Sequence, residues 1–286
     1  MKNKMKNAGR NILKYIKEDP VGFISLLMIL VFIFLAVFAD VIAPYGINET
    51  QYTKPKMAPS AEHIFGTDEL SRDIFSRILY ASRISLFIGF VPTTINLIIG
   101  TFLGMVAGMT SSKLLDTCIM RLVDIVLSYP FMILAMAIVY NLGASTKNLM
   151  LALILVGWAG TARTVRAQTL SLKNSTYIEA ARSMGVSKWK IMIKHILPNI
   201  RSMLLVLYTM SIPVAILSEA GLSFLGFGAQ PPQTSLGVMV SKGRTYLFDA
   251  PWISLAPAIY ILLISLCLNF FGDSLRDLLD PKRTAK

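Results

Sequence analysis

Six long apolar stretches constrain this chain more than any other feature of its sequence. Bilayer hydrocarbon is about 30 Å thick and holds no water, so a segment that crosses it must be a helix of roughly 20 mostly apolar residues that satisfies its own backbone. The stretches are 21–43, 84–109, about 119–140, 149–167, 203–220 and 252–271. We therefore predict an all-α integral membrane protein with six transmembrane helices.

Composition supports a membrane protein over a soluble enzyme. Of the 286 residues, 54% are hydrophobic and 15% are charged, whereas an average soluble domain has about 25% charged residues. The first apolar stretch follows a basic N-terminus, as a signal peptide would. However, the apolar core of a signal peptide runs only about 7 to 15 residues. We expect this longer stretch to stay in the protein as the first span.

The net charge of +12 predicts the orientation in the membrane. Lys and Arg in connecting segments stay on the cytoplasmic side. With the N-terminus inside, 20 of the 28 basic residues fall on that side, and the whole positive excess is cytoplasmic. Both termini are then cytoplasmic, and the excess needs no nucleic acid to explain it. The prediction leaves an outer segment (44–83), an outer loop (221–251) and an inner loop (168–201).

Small residues and prolines mark the spans as closely packed and bendable. The glycines at 100, 104 and 108 recur every four residues on the second span, a spacing that lets another helix approach closely. Prolines lie in or beside four spans and predict kinks there, because proline lacks an N–H and its ring clashes with the preceding turn. They are Pro92, Pro130, Pro213 and Pro257.

Asp124 and Glu219 are the acidic residues that matter within the predicted spans. Ionisable groups at membrane depth are costly and tend to face a cavity or a partner. We expect Asp124 to form a structural ion pair with Arg121, three residues earlier on the same helix. For Glu219, near the outer end of the fifth span, two interpretations stay open. It lines a solute path, or it reaches interfacial water.

Motifs that would carry catalysis are missing. The sequence has no G-x-x-x-x-G-K-[ST] loop for phosphate and no G-x-S-x-G elbow,. The two histidines, His63 and His195, fall on opposite sides of the predicted membrane. We therefore expect no catalytic residue, no metal site and no cofactor. Uphill transport would draw its energy from an ion gradient or from a partner that hydrolyses nucleotide.

The inner loop has the pattern of helix, turn and helix. Ser175 or Thr176 can cap a short helix, with Glu179 completing a capping box, and Gly185 ends that helix. A second helical stretch follows and closes at Pro198. A short helix with alanines on its face can fit a groove on another protein. Alternatively, the basic amphipathic stretch lies on anionic lipid.

The motif in this loop resembles one known family. Glu179-Ala180-Ala181, then Gly185, then Leu197-Pro198, is similar to the EAA motif of permease subunits in ATP-binding cassette importers. His195 stands where the commonest form has an apolar residue. The resemblance implies the type I importer permease fold, with a coupling helix that docks into a cleft on a separate ATPase subunit. Glu179 would meet the cleft rim, the two alanines would permit close contact, and Gly185 would make the turn.

Two further stretches, 65–86 and 222–232, resemble the C subunits of dipeptide, oligopeptide and nickel permeases. The resemblance covers residues 10–283 and implies three parts. Residues 1–81 hold the first span and the outer segment, residues 82–273 form a core with the coupling loop (168–201), and residues 274–286 form a cytoplasmic tail.

The same resemblance implies the function. It predicts a multi-pass subunit of a bacterial inner-membrane importer of short peptides, working by alternating access. Its partners would be a homologous permease chain, two ATPase subunits, a solute-binding protein, the peptide and membrane lipid. Nickel, a metal chelate or glutathione is the alternative solute. An ion-coupled secondary transporter is the alternative from another class.

The outer parts of the chain carry two more predictions. Residues 65–83 alternate acidic and basic side chains, several at i, i+4 spacing. This favours a self-paired amphipathic helix at the outer interface, and docking of a solute-binding protein is the alternative. Residues 221–232 are rich in glycine and proline yet apolar, which fits backbone that lines or caps a cavity. Phe224 and Gln230 are therefore candidate residues of a translocation path, together with Glu219 on the first of its two interpretations.

Overall fold

A computed structural model of the chain describes residues 19–50 and 55–279. Within these ranges the protein is helical, and the one β-type feature is an isolated bridge between Thr67 and Asp73. The predicted basic N-terminus and most of the predicted tail lie outside the described residues. The helices are α1 Pro20–Val37, α2 Ala39–Ile42, α3 Ile74–Met109, α4 Lys113–Ser128, α5 Phe131–Leu142, α6 Thr146–Lys173, α7 Thr176–Ser183, α8 Lys188–Ile191, α9 Leu197–Phe224, α10 Leu236–Gly243 and α11 Trp252–Leu279.

Five spans predicted from hydropathy are confirmed as long apolar helices. They are α1, α3, α6, the continuous run from α8 to α9, and α11. A π-helical turn, Met192–Ile196, joins α8 to α9. The prolines at 92, 213 and 257 lie inside α3, α9 and α11 without ending them.

The third predicted span is not one helix. Over 119–140 the chain forms α4 and α5, which meet at 92°. Pro130 lies at the corner, and Tyr129 before it is extended, with φ −99° and ψ 143°. Proline forces the residue before it out of the helical region, so the helix ends at Ser128 and restarts at Phe131. The two helices together make a broken sixth span.

Close packing of α3 against α6 depends on the predicted glycine stripe. A Cβ on Gly100 would lie 2.6 Å from Thr161 Cβ, and one on Gly104 would lie 2.6 Å from the Ala162 carbonyl oxygen. Real carbon contacts are about 3.5 to 4.0 Å, so no side chain fits at these positions. The packing role predicted for these glycines is confirmed.

A cluster of buried apolar side chains joins α1, α3, α9, α10 and α11. It includes Phe32 of α1, Ile78 of α3, Ile216 of α9 and Ile264 of α11. Helix α1 thus packs on the same bundle as the other spans. Between helices in lipid these contacts are stabilised by van der Waals packing, because lipid tails are as apolar as the side chains themselves.

The amphipathic helix predicted over 65–83 is wrong for its first half. Residues 55–73 form a loop, in which Gly66 has φ +76° and Ser71 has φ +57°. These left-handed positions cannot belong to a right-handed helix. Four of the six charged side chains of 65–83 are buried, and Asp68 pairs with Arg72 at 2.7 Å and with Arg77 at 3.5 Å.

Asp73 ends this loop and starts α3. Its carboxylate accepts a hydrogen bond from the Ser76 amide at 2.7 Å and lies 3.0 Å from the ring of buried His63. A carboxylate at an N-cap satisfies an otherwise free amide. The i, i+4 spacing of these charges therefore corresponds to ion pairs within a buried loop and to the start of α3, and not to one continuous helix.

Candidate coupling surface and solute pathway

The coupling loop contains the predicted short helix, α7, and the predicted turn at Gly185. Gly185 has φ +79°, and its amide donates to the Arg182 carbonyl at 3.0 Å, while the Val186 amide donates to the Ala181 carbonyl at 3.1 Å. This pair of bonds is the Schellman arrangement, which favours glycine. The predicted turn is confirmed. The predicted capping box is not formed, because the Ser175 hydroxyl donates to the Leu172 carbonyl at 2.6 Å.

A buried cluster holds α7 firmly against the spans. Ile178 and Ala181 of α7 pack with Ile191, Ile196 and Val165. Ala181 is 3% exposed. The prediction that Ala181 contacts a partner is therefore wrong in this structure, because its side chain faces the protein's own core.

The opposite face of α7 is open. Glu179 and Ala180 are exposed, Tyr177 is 44% exposed and Met184 is 76% exposed. Because alanine has a short side chain, an exposed alanine between a tyrosine and a methionine gives a shallow apolar surface that a groove on another protein can cover. We call Tyr177, Glu179, Ala180 and Met184 the coupling face.

Two lysines tie the coupling loop to the end of α3. Lys173 Nζ donates to the carbonyls of Gly108 and Thr110 at 3.3 and 3.2 Å. These are carbonyls at a helix C-terminus, where a cation is favourable. Lys188 Nζ donates to Ser111 Oγ at 2.9 Å. A displacement of the loop therefore acts directly on α3.

Ion pairs join α4 to α6. Arg166 binds Asp116 through two hydrogen bonds of 2.6 Å each, and Arg163 binds Asp124 at 2.6 Å. The predicted ion pair of Asp124 exists, but its partner is Arg163 and not Arg121. Forked arginine–carboxylate pairs fix geometry as well as charge, so α4 is held in register with α6.

Leu197 and Pro198, the other end of the motif, form the first turn of α9. Leu197 is half-buried against the cluster that holds α7, and Pro198 is exposed. The π-helical turn directly before them, in which the Leu197 amide donates to the Met192 carbonyl, interrupts the regular helical ladder beside a proline that has no N–H to donate. Both residues lie at the junction between coupling loop and span, and their part in coupling stays a prediction.

A cavity of about 250 Å³ lies among α3, the α4–α5 corner, α6 and α9. Its walls carry neutral polar groups at membrane depth, among apolar side chains. No Asp, Glu, Lys, Arg or His is among the described residues that line it. The polar members are Thr93, Asn96, Thr161, Tyr208, Ser211 and Ser218.

This cavity was not predicted from the sequence. Candidate site residues within the spans were charged ones, and no charged side chain among the described residues lines the cavity. Polar side chains in four separate apolar stretches were the available signal, but only the fold brings them together. A larger groove of about 790 Å³ between the outer halves of α3 and α6 is mostly apolar. It is not lined by the polar side chains of the smaller cavity, and it does not reach α9.

Glu219 does not line this cavity. It is 0% exposed, and its carboxylate accepts hydrogen bonds from Ser85 at 3.0 Å and from Ser223 and Ser235 at 2.6 Å each. Both interpretations made from the sequence, a solute path and contact with interfacial water, are contradicted in this structure. The reason is that three serines from different segments enclose the carboxylate.

The other two predicted path residues lie outside the cavity as well. Phe224 ends α9 with its ring under the Arg244 guanidinium, 4.9 Å away. Gln230 is exposed, and its side-chain amide donates to the Gly228 carbonyl at 3.1 Å. Their place on a translocation path stays a prediction.

Comparison with known families decides the class of protein. Residues 100–285 match the model of the binding-protein-dependent transport system inner membrane component. The chain belongs to this family. Residues 8–59 also match the N-terminal TM domain of oligopeptide transport permease C. The resemblance found in the EAA motif and its flanking stretches is confirmed.

Curated relatives cover nearly the whole permease. The dipeptide transport system permease protein DppC of Alkalihalophilus pseudofirmus is 41% identical over 96% of this chain and 90% of its own length. The glutathione transport system permease protein GsiD of Pectobacterium atrosepticum is 41% identical over 90% and 85%. The DppC protein of Bacillus subtilis is 35% identical over 93% and 83%.

A solved structure has the same fold as the permease. The inward-facing MetNI methionine ABC transporter aligns with a TM-score of 0.59, covering 71% of this chain and 96% of the other at 21% identity. The predicted all-α type I importer permease fold is confirmed, and the cytoplasmic placement of both termini stays a prediction. This chain is a multi-pass inner-membrane permease of an ATP-binding cassette importer. Its family works with ATPase and binding-protein partners, and ATP hydrolysis resides in separate subunits.

Proposed function

We propose that this permease imports short peptides, paired with a homologous permease chain and driven by two ATPase subunits. The coupling face of α7 sits in a cleft of an ATPase subunit. Closure of the ATPase dimer around ATP moves α7, rocks the spans and opens the pathway outward to receive solute from a binding protein. Release of the hydrolysis products reverses the motion.

The observation that carries this proposal is the construction of α7. One side of the helix is buried and fixed through Ile178 and Ala181, and the other side is exposed through Ala180 and Met184. A helix that only lay on lipid would not need a rigid attachment to three spans. Attachment on one side and exposure on the other is what transmission of force requires.

The path from α7 to the cavity is short and stiff. Lys188 of α8 links the loop to Ser111, directly after α3, and α3 packs closely against α6 along the glycine stripe. Both helices line the cavity. Motion of α7 therefore reaches the cavity walls through packed backbone, since tightly packed interiors transmit displacement.

Pairing with a second permease chain is supported by the open side of the cavity. Ser211, Gly160 and Val214 belong to its walls, and all three are exposed in the single chain. A solute pathway at membrane depth must be enclosed by protein, because polar groups facing lipid are costly. A homologous chain would close this side.

The names of the curated relatives favour peptides as the solute. The curated dipeptide permeases named above are up to 41% identical over almost the entire chain. The equally identical glutathione permease favours glutathione, itself a small peptide, as a second candidate. A nickel ion is less well supported, since the described residues contain no group of three or more His, Cys, Asp or Glu that could hold a metal.

Neighbouring alanines in α7 give a matched test of the coupling role. Ala180→Arg places a bulky charge on the coupling face, whereas Ala181→Leu enlarges a buried side chain. We expect Ala180→Arg to keep the thermal stability of the permease but to lose ATPase subunits on purification and ATP-dependent uptake. Ala181→Leu should instead lower the free energy of unfolding by about 1 to 3 kcal/mol through overpacking.

Wild-type retention of the ATPase and wild-type uptake in the Ala180→Arg variant would contradict the assignment of the coupling face. Stability measured on the purified permease separates this outcome from misfolding.

A further inference from the structure

The hydrogen-bond roles around the cavity can be assigned one group at a time. The Thr94 hydroxyl donates its single proton to the Phe90 carbonyl at 2.8 Å and lies 2.8 Å from Tyr208 Oη. A threonine hydroxyl has one proton, so Tyr208 must be the donor in the second bond. The lone pairs of Tyr208 Oη remain as acceptors on the cavity wall.

Two serines of α9 are committed in the same way. Ser211 Oγ donates to the Leu207 carbonyl at 2.6 Å, and Ser218 Oγ donates to the Val214 carbonyl at 2.7 Å. Both hydroxyl protons are used within the helix, and the oxygens can only accept from a solute. Each serine therefore adds an acceptor to the cavity.

Asn96 supplies the fourth acceptor and the most distinctive one. Its side-chain nitrogen donates to the Leu153 carbonyl at 3.1 Å, while Oδ1 is buried without a hydrogen-bond partner among the described residues. Gly157 makes room for this side chain, since a Cβ there would overlap the Asn96 amide nitrogen. A buried acceptor left without a donor costs about 1 to 3 kcal/mol, so a ligand that donates to Oδ1 is favoured.

The cavity is thus uncharged and richer in acceptors than in donors. The remaining donors are the second N–H of Asn96 and the hydroxyls of Thr93 and Thr161. A carboxylate needs several donors when it leaves water, and this wall offers few. An ammonium or an amide N–H needs acceptors, and the three hydroxyl oxygens named above offer lone pairs while their own protons are engaged elsewhere, beside Asn96 Oδ1.

We propose that this cavity binds the amino-terminal ammonium and amide N–H groups of the transported solute, and that the carboxylate end contacts protein outside this wall. The proposal rests on the function proposed above. Neutral acceptors bind a cation weakly, which suits a pathway that must release its solute. They also discriminate poorly among peptide side chains.

The test uses the complete importer, with its partner permease and ATPase subunits, in lipid nanodiscs without binding protein. Three probes are compared by saturation-transfer NMR: trialanine, its C-terminal amide and its N-acetyl derivative. We expect trialanine and its amide to bind equally and N-acetyl trialanine to bind at least about tenfold more weakly. Equal binding of the free and acetylated peptides, or no binding of either, would overturn the proposal.

Conservative variants locate the effect in the cavity. Tyr208→Phe and Ser211→Ala each remove one acceptor and should weaken trialanine about three- to tenfold, as expected for one hydrogen bond, with a smaller loss for the acetylated peptide, which keeps its amide N–H groups but has no ammonium. Asn96→Leu removes another acceptor and should weaken trialanine in the same way. Asn269→Leu is its matched control. Asn269 also donates to a backbone carbonyl, at 3.0 Å, but lies on α11 away from the cavity.

Uptake into proteoliposomes with the binding protein present separates the two proposals. If the wild-type importer takes up no trialanine and no glutathione, peptide import itself fails. If it takes up trialanine and the cavity variants bind and transport like wild type, only the assignment of this cavity fails.

Discussion

At the scale of single residues, the buried carboxylate of Glu219 organises the end of the helix bundle where α9 ends and α10 begins. Its three serine donors belong to α3, to α9 and to the start of α10. Ser85 also accepts the Leu236 amide at 3.2 Å. One carboxylate thus fixes the outer loop to two spans, since an unpaired buried charge would be far more costly than the loop's freedom.

Removal of one donor should destabilise this cluster. We predict that Ser85→Ala lowers the free energy of unfolding by about 1 to 3 kcal/mol, because Glu219 loses a donor and the Leu236 amide loses its acceptor. The measurement is the thermal unfolding midpoint of the purified permease. Ser128→Ala is the control, since Ser128 is exposed and bonds only to the Ile125 carbonyl. Equal midpoints for the two variants would contradict this account of Glu219.

The sequence indicated that Glu219 was unusual but not why. An ionisable residue in an apolar stretch can be found by inspection. Its partner Ser85 lies 134 positions away, and no local pattern connects the two. Ala180 and Ala181 show the same limit at neighbouring positions, because only the packing of α7 decides which alanine faces out.

At the scale of helices, the core is organised around the close contact between α3 and α6. Hydropathy predicted both helices, and the four-residue glycine spacing predicted that one would receive a close neighbour. The neighbour itself was not predicted, because the matching row on α6 also repeats every four residues but consists of Thr161, Val165 and Thr169 and not of glycines. Pro130 predicted a kink at the corner between α4 and α5, but its size of 92° was not predicted, because mean hydropathy along a segment is insensitive to its direction.

Substitution within the stripe tests the packing of these helices. We predict that Gly104→Ala destabilises the permease by about 1 to 3 kcal/mol through overpacking, since the new Cβ would meet the Ala162 carbonyl oxygen. Gly160→Ala on α6 is the control, with open space around the new Cβ. It gains the same helix propensity, about 0.5 to 1 kcal/mol. A Gly104→Ala variant as stable as Gly160→Ala would show that α3 and α6 are not in contact there.

At the scale of the whole molecule, one mechanical connection runs from the coupling face to the cavity. The coupling loop is bound to α3, α3 is packed on α6, and α4 is tied to α6 by the pairs Asp116–Arg166 and Asp124–Arg163. The walls of the cavity are therefore parts of the same packed unit that an ATPase would move. The topology could be predicted because each span satisfies its own backbone, whereas this connection depends on contacts between distant segments.

The most direct test of the central claim is the energy source of peptide uptake. The permease and its partner subunits are reconstituted in proteoliposomes with a binding protein, and uptake of labelled trialanine or glutathione is followed with ATP, with a non-hydrolysable analogue, or with an imposed proton or sodium gradient. The account predicts accumulation only when ATP is hydrolysed, and its loss in Ala180→Arg. Accumulation driven by an ion gradient without ATP would contradict it.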